Sequence, residues 1–492
     1  MRLTKSLIAA FDQCPKRLWL EAHKGAPTQE SPQAELRKAE GERIGVIART
    51  LRPGGTLVDS HLGQEEALAF TQKLLAATPP APIFEAAFLH DNTYIRVDIL
   101  TPLPGGSWYL VEVKSAASLK DHYVRDLATQ LYVAKGAGLN IGKASVWHID
   151  SSFILRAIDE YDGLFSEQND TENFDVIVDG RPQDISTAQH ILDADEPDVD
   201  VGDHCTSPYD CPFQDYCSSL HPSPPDWPTT LLPAAAGKKA AAALADLGIE
   251  DLLQVPIGYF DDPKLHRIHQ ATVSGIAHHE REAIRKKIAE WRYPLHFLDF
   301  ETIQFAAPIW LGGKSYAQTP FQFSNHILQE DGALSHHEFL DLSGNDPRRA
   351  CAEALVEILC APDVEEGSIV AYFAGFEKQC IKGLALIYDD LRESLMGIHE
   401  RVVDLLPVVR EHYYHRDQRG SWSIKAVLPT VCPELDYADL EVKDGTNAQS
   451  AYVQAIDPST PPQKKSAIGS ALKEYCKRDT LAMVKLLLAL SE

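Results

Sequence analysis

Two carboxylates stand two residues apart in an otherwise apolar run, Leu295-His296-Phe297-Leu298-Asp299-Phe300-Glu301-Thr302. Side chains on a strand alternate faces, so Asp299 and Glu301 share one face while Leu298 and Phe300 point into the opposite layer. Acids on one face repel unless something positive sits between them, and oxygen ligands of this kind suit a divalent cation. The plainer alternative is a buried strand whose acids lie at its solvent-exposed end. A second group lies upstream. Asp98 stands near the end of one strand, and Glu112 and Lys114 share a face of the next, across Thr-Pro-Leu-Pro-Gly-Gly-Ser, whose Pro-Gly-Gly signals a turn. Acids to hold Mg²⁺ and an ammonium to orient the attacking water are the parts of metal-assisted phosphodiester hydrolysis. Further on, Glu377 heads a helix that follows an apolar strand, where the parallel-sheet rule expects ligands. Tyr475 and Asp479 lie one turn apart on the last helix.

At 492 residues the chain exceeds a single ordinary core, and about two to four domains are expected. A net charge of −25 excludes a broadly basic coat, so any contact with nucleic acid must use local patches or bound metal. No apolar run reaches the ~20 residues needed to span a bilayer. The basic start Met1-Arg2-Leu3-Thr4-Lys5 precedes nothing like a signal cleavage site. A cytoplasmic protein with no membrane partner is expected. The nine cysteines do not suggest a disulfide framework. Cys205, Cys211 and Cys217 are regularly spaced, whereas Cys351, Cys360, Cys380, Cys432 and Cys476 are scattered and read as core residues.

Residues 1–220 read as an α/β unit. It holds the strands Thr93–Leu100 and Trp108–Lys114, a helix over Asp121–Lys135, a strand over Ala144–Asp150 and an acidic loop over 181–204. Residues 221–290 read as a linker region, in which the Pro-, Ser- and Thr-rich stretch Ser218–Pro233 leads into Gly237 to Pro256, either a helix-hairpin-helix or a small helical spacer. His278–Trp291 reads as a helix with a solvated, mixed-charge face. Residues 291–492 form the last unit. The Asp-x-Glu strand opens it, Phe321–Leu328 and Gly367–Phe373 add strands, His336–Leu340 supplies a further one, and Ala471–Leu490 closes it as a helix.

A lone early cysteine and three closely spaced late ones, flanking an Asp…Glu-x-Lys hairpin, resemble the RecB-like PD-(D/E)XK nucleases that carry an iron-sulfur cluster. The resemblance implies a restriction-endonuclease-like core in which Asp98, Glu112 and Lys114 are catalytic. Cys14, Cys205, Cys211 and Cys217 would ligate a 4Fe-4S cluster that staples the two ends of the domain, although four thiolates also suit structural zinc. Glu42 stands where many relatives have a His, as a further metal ligand, and the family's Gln-x-x-x-Tyr is represented by Gln130-Leu131-Tyr132.

Asp-x-Glu on a first strand, an acid heading a middle helix and Tyr-x-x-x-Asp on a last helix resemble the DnaQ-like exonucleases of the RNase H-like superfamily, in the branch marked by its tyrosine. That resemblance implies that Asp299, Glu301, Glu377 and Asp479 hold two Mg²⁺ or Mn²⁺ ions and that Tyr475 orients the attacking water. The family usually has Asp where Glu377 stands. With Pro320-Phe321-Gln322-Phe323-Ser324, Phe376-Glu377-Lys378 and Asp444-Gly445, the whole arrangement resembles an uncharacterised bacterial family, a domain of unknown function. The expectation is an α/β protein with two phosphodiesterase sites that acts on DNA, single-stranded or with free ends, in repair or defence. A helicase is a partner that the RecB-like resemblance admits. The alternatives are an RNA-processing 3′–5′ exonuclease and a non-catalytic nucleic-acid-binding module with decayed sites.

Overall fold

Short apolar strands punctuated by turns, with amphipathic helices between them, give an α/β chain with mixed sheets. The structure is a computed structural model that describes residues 1–25, 32–168, 171–221, 223–360, 366–435, 437 and 439–492. It divides into two compact units, Met1–Ser223 with Phe305–Ala317, and Pro224–Gln304 with Gln318–Glu492. The segment read as a linker groups with the second unit. There Leu244, Leu252, Val255, Leu265 and Ile268 join the core that also holds Leu295 and Phe297.

In the first unit the strands are β1 (Leu3–Thr4), β2 (Thr56–Leu57), β3 (Ile83–His90), β4 (Thr93–Pro102), β5 (Trp108–Lys114), β6 (Ile141–Ile149) and β7 (Phe165–Gln168), and the helices are α1 (Lys5–Gln13), α2 (Pro15–His23), α3 (Pro32–Thr50), α4 (Gln64–Leu75), α5 (Asp121–Gly136), α6 (Thr171–Asp193) and α7 (Gln214–Ser219). The sheet runs β2-β3-β4-β5-β6-β7, with β1 added to β4. The expected hairpin is β4–β5, antiparallel, and β5–β6 is parallel. Trp108 and Leu110 face Tyr123, Val124, Leu127 and Leu131 of α5. Tyr109 and Val111 face the opposite layer, with Ala48, Phe84, Ile99 and Trp147. Glu112 and Lys114 therefore continue the face that α5 covers.

The acidic stretch after residue 180 is helix, not loop, as far as Asp193. Pro182 sits inside α6 and the local composition disfavours helix. Tertiary packing overrides both. Ile185, Ala188 and Leu192 pack on Leu3, Ile8 and Leu18, and Arg181, fully buried, forms a two-pronged bond to Asp12 at 2.9 and 3.0 Å.

The second unit contains α8 (Ala234–Ala245), α9 (Pro263–Ser274), β8 (His278–His279), α10 (Arg281–Ile288), β9 (Leu295–Ile303), β10 (Thr319–Leu328), β11 (Leu334–Leu340), α11 (Arg348–Cys360), β12 (Ile369–Ala371), α12 (Gly375–Ile387), α13 (Arg392–Arg401), β13 (Val402–Asp404), α14 (Leu405–His412), β14 (Tyr413–Tyr414), α15 (Ile424–Val427), α16 (Gly445–Ile456) and α17 (Pro462–Ser491). The expected helix over His278–Trp291 begins later, because His278 and His279 pair with Tyr414 and Tyr413 as a strand. The main sheet runs β11-β10-β9-β12-β13, antiparallel from β11 to β9 and parallel from β9 to β13. Leu298 and Phe300 face a layer that includes α11 and α12 residues such as Leu355 and Ile381. Leu295 and Phe297 face the other core, with Met483 and Leu487 of α17. Among the described residues no helix is long and apolar enough to cross a membrane.

The Arg181–Asp12 pair is testable, since removing one member of a buried ion pair strands the other charge. Asp12→Ala should destabilise the first unit by about 3 kcal/mol in urea unfolding and lower hydrogen-exchange protection across α6. The double variant Asp12→Leu/Arg181→Met should recover most of this. An effect below about 0.5 kcal/mol for Asp12→Ala would show that the pair does not hold α6 in place.

Candidate functional site

In the second unit the acids extend an apolar seam. On β9, Leu295 and Phe297 are followed at the same two-residue spacing by Asp299 and Glu301. On α17, Leu487 and Met483 are followed at four-residue spacing by Asp479 and Tyr475. Each periodicity keeps its residues on one face. The β9–β12 ladder ends at Phe297 opposite Val370, so β9 carries its acids just past the end of its parallel neighbour.

One oxygen from each of Asp299, Glu301 and Asp479 lies within 4.8 Å of the others. Glu301 is buried, while Asp299 and Asp479 keep partial access to solvent. Burial, then the neighbouring Asp479, Glu301 and Glu377 charges, push Asp299 well above the carboxylate range. Burial and Asp479 push Glu301 up to about 8, with Lys425 working in the opposite direction. Asp479 is also raised by burial, which outweighs the hydrogen bond from Tyr437 and the Lys425 charge.

Glu377 stands at the start of α12, buried, with Oε2 lacking a hydrogen-bond partner. Burial carries it up to about 8, with Asp404 adding in the same direction. Tyr475 is buried, bonds to Asp479, and places its hydroxyl 3.4 Å from Lys425 Nζ. The four acids and the tyrosine singled out in the sequence thus belong to one neighbourhood.

Several members of this site carried no sequence signal. Tyr437 donates to Asp479 Oδ1 at 2.7 Å. Lys425 donates to the Lys443 carbonyl at 2.6 Å and lies over the rings of Tyr437 and Tyr475. Cys476, on the helix face next to Asp479, points its thiol at Asp299 Oδ2, 3.9 Å away. Lys425 follows the Ser421–Ile424 turn, and nothing in that local sequence marks it as part of the acid site.

In the first unit the lysines change the outcome. Glu112, 1 % exposed, accepts from Lys5 and Lys114 at 2.8 Å each, and Gln130 donates to its other oxygen. Lys114 also pairs with Asp126 at 2.5 Å. Asp126 and Gln130 lie one turn apart on α5, and the Asp126 and Lys5 roles had no signal in the sequence. Burial works upward on Glu112, but the Lys114 and Lys5 ammonium groups outweigh it and bring it down to about 2. Asp98 accepts from the Val113 amide at 2.7 Å, just where the β4–β5 ladder stops at Ile99 opposite Val111. Burial and the Glu112 charge push Asp98 up to about 8. Glu42 is exposed on α3 and shares a cavity of about 560 Å³ with Asp98, Glu85 and Asp59.

Cys14, Cys205 and Cys217 are buried and Cys211 is half-buried, all as free thiols. Burial raises Cys211 and Cys217, and the neighbouring sulfurs, Cys14 and Cys205 among them, add to it. Gln13 ties the two ends together, donating to the His204 and Tyr209 carbonyls at 2.7 Å each.

The raised acids of the second unit give a pH signature. Glu301 holds its proton up to about pH 8 in the folded chain, whereas unfolded glutamate releases it near 4.5. Stability without metal is therefore full below about pH 4.5 and falls as pH rises toward 8, by about 2–4 kcal/mol. Asp299→Asn/Glu301→Gln should flatten that slope. Mn²⁺ should raise the melting temperature of the parent more at pH 8 than at pH 5, and should not shift the double variant. A parent melting curve that ignores Mn²⁺ at both pH values would remove this group as a metal site.

Residues 296–423 match the model of a domain of unknown function (DUF2779), a stretch that includes Asp299, Glu301, Glu377 and Asp404 and ends before Tyr475 and Asp479. No curated protein matches the chain. Over that stretch the chain is similar to an uncharacterised family.

Proposed function

We propose that the second unit is a metal-dependent 3′–5′ exonuclease of RNase H-like, DnaQ-like type that acts on DNA, single-stranded or with free ends. The observation that carries the reading is the trio Asp299, Glu301 and Asp479, whose oxygens lie within 4.8 Å and whose carboxyls are all raised. Such a trio is unfavourable empty and favourable around a divalent cation. The antiparallel β11-β10-β9 followed by parallel β12 and β13 supports the fold assignment.

Bound Mg²⁺ or Mn²⁺ would polarise the phosphoryl group and lower the pKa of the attacking water. The chain's own residues do the rest. Asp299, Glu301 and Asp479 supply the ligand oxygens, and the unpartnered Glu377 Oε2 supplies one more. The Tyr475 hydroxyl, set between Asp479 and Lys425, orients a water for attack on phosphorus as the bond to the departing 3′ oxygen breaks. The buried β9–α17 seam holds the acids in place.

For the first unit the same proposal assigns a PD-(D/E)XK-type core. The placement of Asp98, Glu112 and Lys114 on β4 and β5 supports a second phosphodiesterase site. Lys5 favours a second reading. With two ammonium groups already on Glu112, this site binds nucleic acid without cleaving it. We assign Cys14, Cys205, Cys211 and Cys217 to a 4Fe-4S cluster. Their mutual electrostatic influence supports a shared site, and they do not form a group as tight as the carboxylate trio. Tetrahedral zinc, with Zn–S near 2.3 Å, draws its sulfurs to about 3.8 Å of one another.

The deciding experiment is a time course on end-labelled single-stranded DNA and RNA with Mn²⁺. It compares the parent with Asp98→Ala/Lys114→Ala and Asp299→Ala/Glu301→Ala. Loss of 3′-end trimming by at least about 10²-fold in the second variant alone establishes the exonuclease. Cleavage that persists there and disappears in the first variant establishes the other site, and faster release from RNA makes the RNA-processing alternative correct. No product from a folded parent ends the catalytic reading. Separately, anaerobically purified protein should be brown and hold about four iron atoms per chain. One tightly held zinc in colourless protein would overturn the cluster.

A further inference from the structure

Phe373 is exposed where an aromatic would ordinarily be buried, and strained where a bulky residue would ordinarily relax. Its side chain is 63 % exposed and its φ is +74°. The left-handed region is costly for such a residue, and strain of this kind persists only where the surroundings impose it. They do so here. The Phe373 amide donates to Asp404 Oδ1 at 3.1 Å, and the same oxygen caps α14 through the Leu406 amide at 3.0 Å. Two residues later, after the N-cap Ala374, the chain enters α12, which carries Glu377. The ring is thus held outward by the turn that also sets an acid of the catalytic group.

Beside the ring lies a cavity of about 570 Å³, lined by Lys264, Tyr372, Phe373, Arg410 and the Ser421–Ile424 turn among others. Lys264 lies over the Trp422 ring at 4.7 Å. Burial and then the facing Arg410 guanidinium push the Lys264 ammonium below its usual value, with Asp262 working against them. Two cations that crowd one cavity in this way await an anion. The far wall also leads to the acids, because Ile424 is followed by Lys425, which reaches Tyr475.

We propose that this cavity is a nucleotide subsite, in which a base of a single-stranded nucleic acid stacks on Phe373 and the adjoining phosphodiester is held between Lys264 and Arg410. The inference rests on the nuclease reading of the same unit and supplies its substrate contacts. An exposed ring accepts any base, because every base presents a π face, and it pairs naturally with cations that track the phosphates. In a chain of net charge −25, phosphate contacts must be concentrated in such places.

The test is fluorescence anisotropy with labelled single-stranded DNA and the matched RNA, using the full chain without added metal and with Ca²⁺. Phe373→Ala should weaken binding about tenfold and Phe373→Trp should restore it. Lys264→Gln/Arg410→Gln should weaken binding and make the plot of log Kobs against log[salt] shallower, by about 0.7 for each phosphate no longer neutralised. Circular dichroism and the Mn²⁺-induced melting shift report whether each variant is folded with its acid site intact. Folded variants that bind like the parent overturn the subsite, whether or not the parent cleaves. Loss of binding in both variants, with a parent that binds but never cleaves, upholds the subsite and ends the nuclease reading. A parent that binds neither polymer ends both.

Discussion

Mutual repulsion among buried carboxylates is the constraint around which the second unit is built. Asp299, Glu301 and Asp479 are held together by an apolar seam of Leu295 and Phe297 against Met483 and Leu487, not by attraction of their own. The seam brings the acids closer than their charges favour, and without a cation they respond by retaining protons. The ladder between β9 and β12 ends at Phe297, just before Asp299, whose carboxyl feels the charge of Glu377 on α12. Packing, register and titration are therefore one problem in this unit, and its resting state is one that a divalent cation would relieve.

The first unit poses the same problem and answers it with protein. Glu112 and Lys114 share a face of β5, and Asp126 and Gln130 share a face of α5, which parallels the strand-and-helix pairing of β9 with α17. The difference is in the charges. Lys5 and Lys114 both bond to Glu112 and hold it near 2, while Asp98 beside it stays protonated up to about 8. One unit neutralises its central acid with its own lysines, and the other keeps its crowded acids protonated.

What the sequence made legible follows from periodicity. The β4–β5 hairpin, with its Pro-Gly-Gly turn, and the apolar β9 are local patterns, and so is the Tyr475–Asp479 spacing on α17. Contacts made at long range left no such trace. Lys5 reaches Glu112 across 107 residues and Tyr437 reaches Asp479 across 42; nothing in Met1-Arg2-Leu3-Thr4-Lys5 or around Tyr437 announces either. The acidic composition from residue 181 on is a local signal against helix, whereas the Arg181–Asp12 pair that secures α6 spans 169 residues. Cavities are illegible for the same reason, since Lys264, Phe373 and Ser421 share a wall only after folding.

Glu377 and Phe373 show how far local misfit can be read as function. A buried carboxyl oxygen without a partner costs about 1–3 kcal/mol, and a bulky residue held in the left-handed region adds about 1–3 kcal/mol more. These two costs fall four residues apart, Phe373 just after β12 and Glu377 in the first turn of α12. Sequences tend to keep such costs where another requirement opposes them. For Glu377 that requirement would be an ion taking up Oε2, and for Phe373 a flat partner covering its ring. Both would be met by the same molecule if a phosphodiester bound to the cation continued into a base stacked on the ring, which makes this turn the hinge between chemistry and recognition.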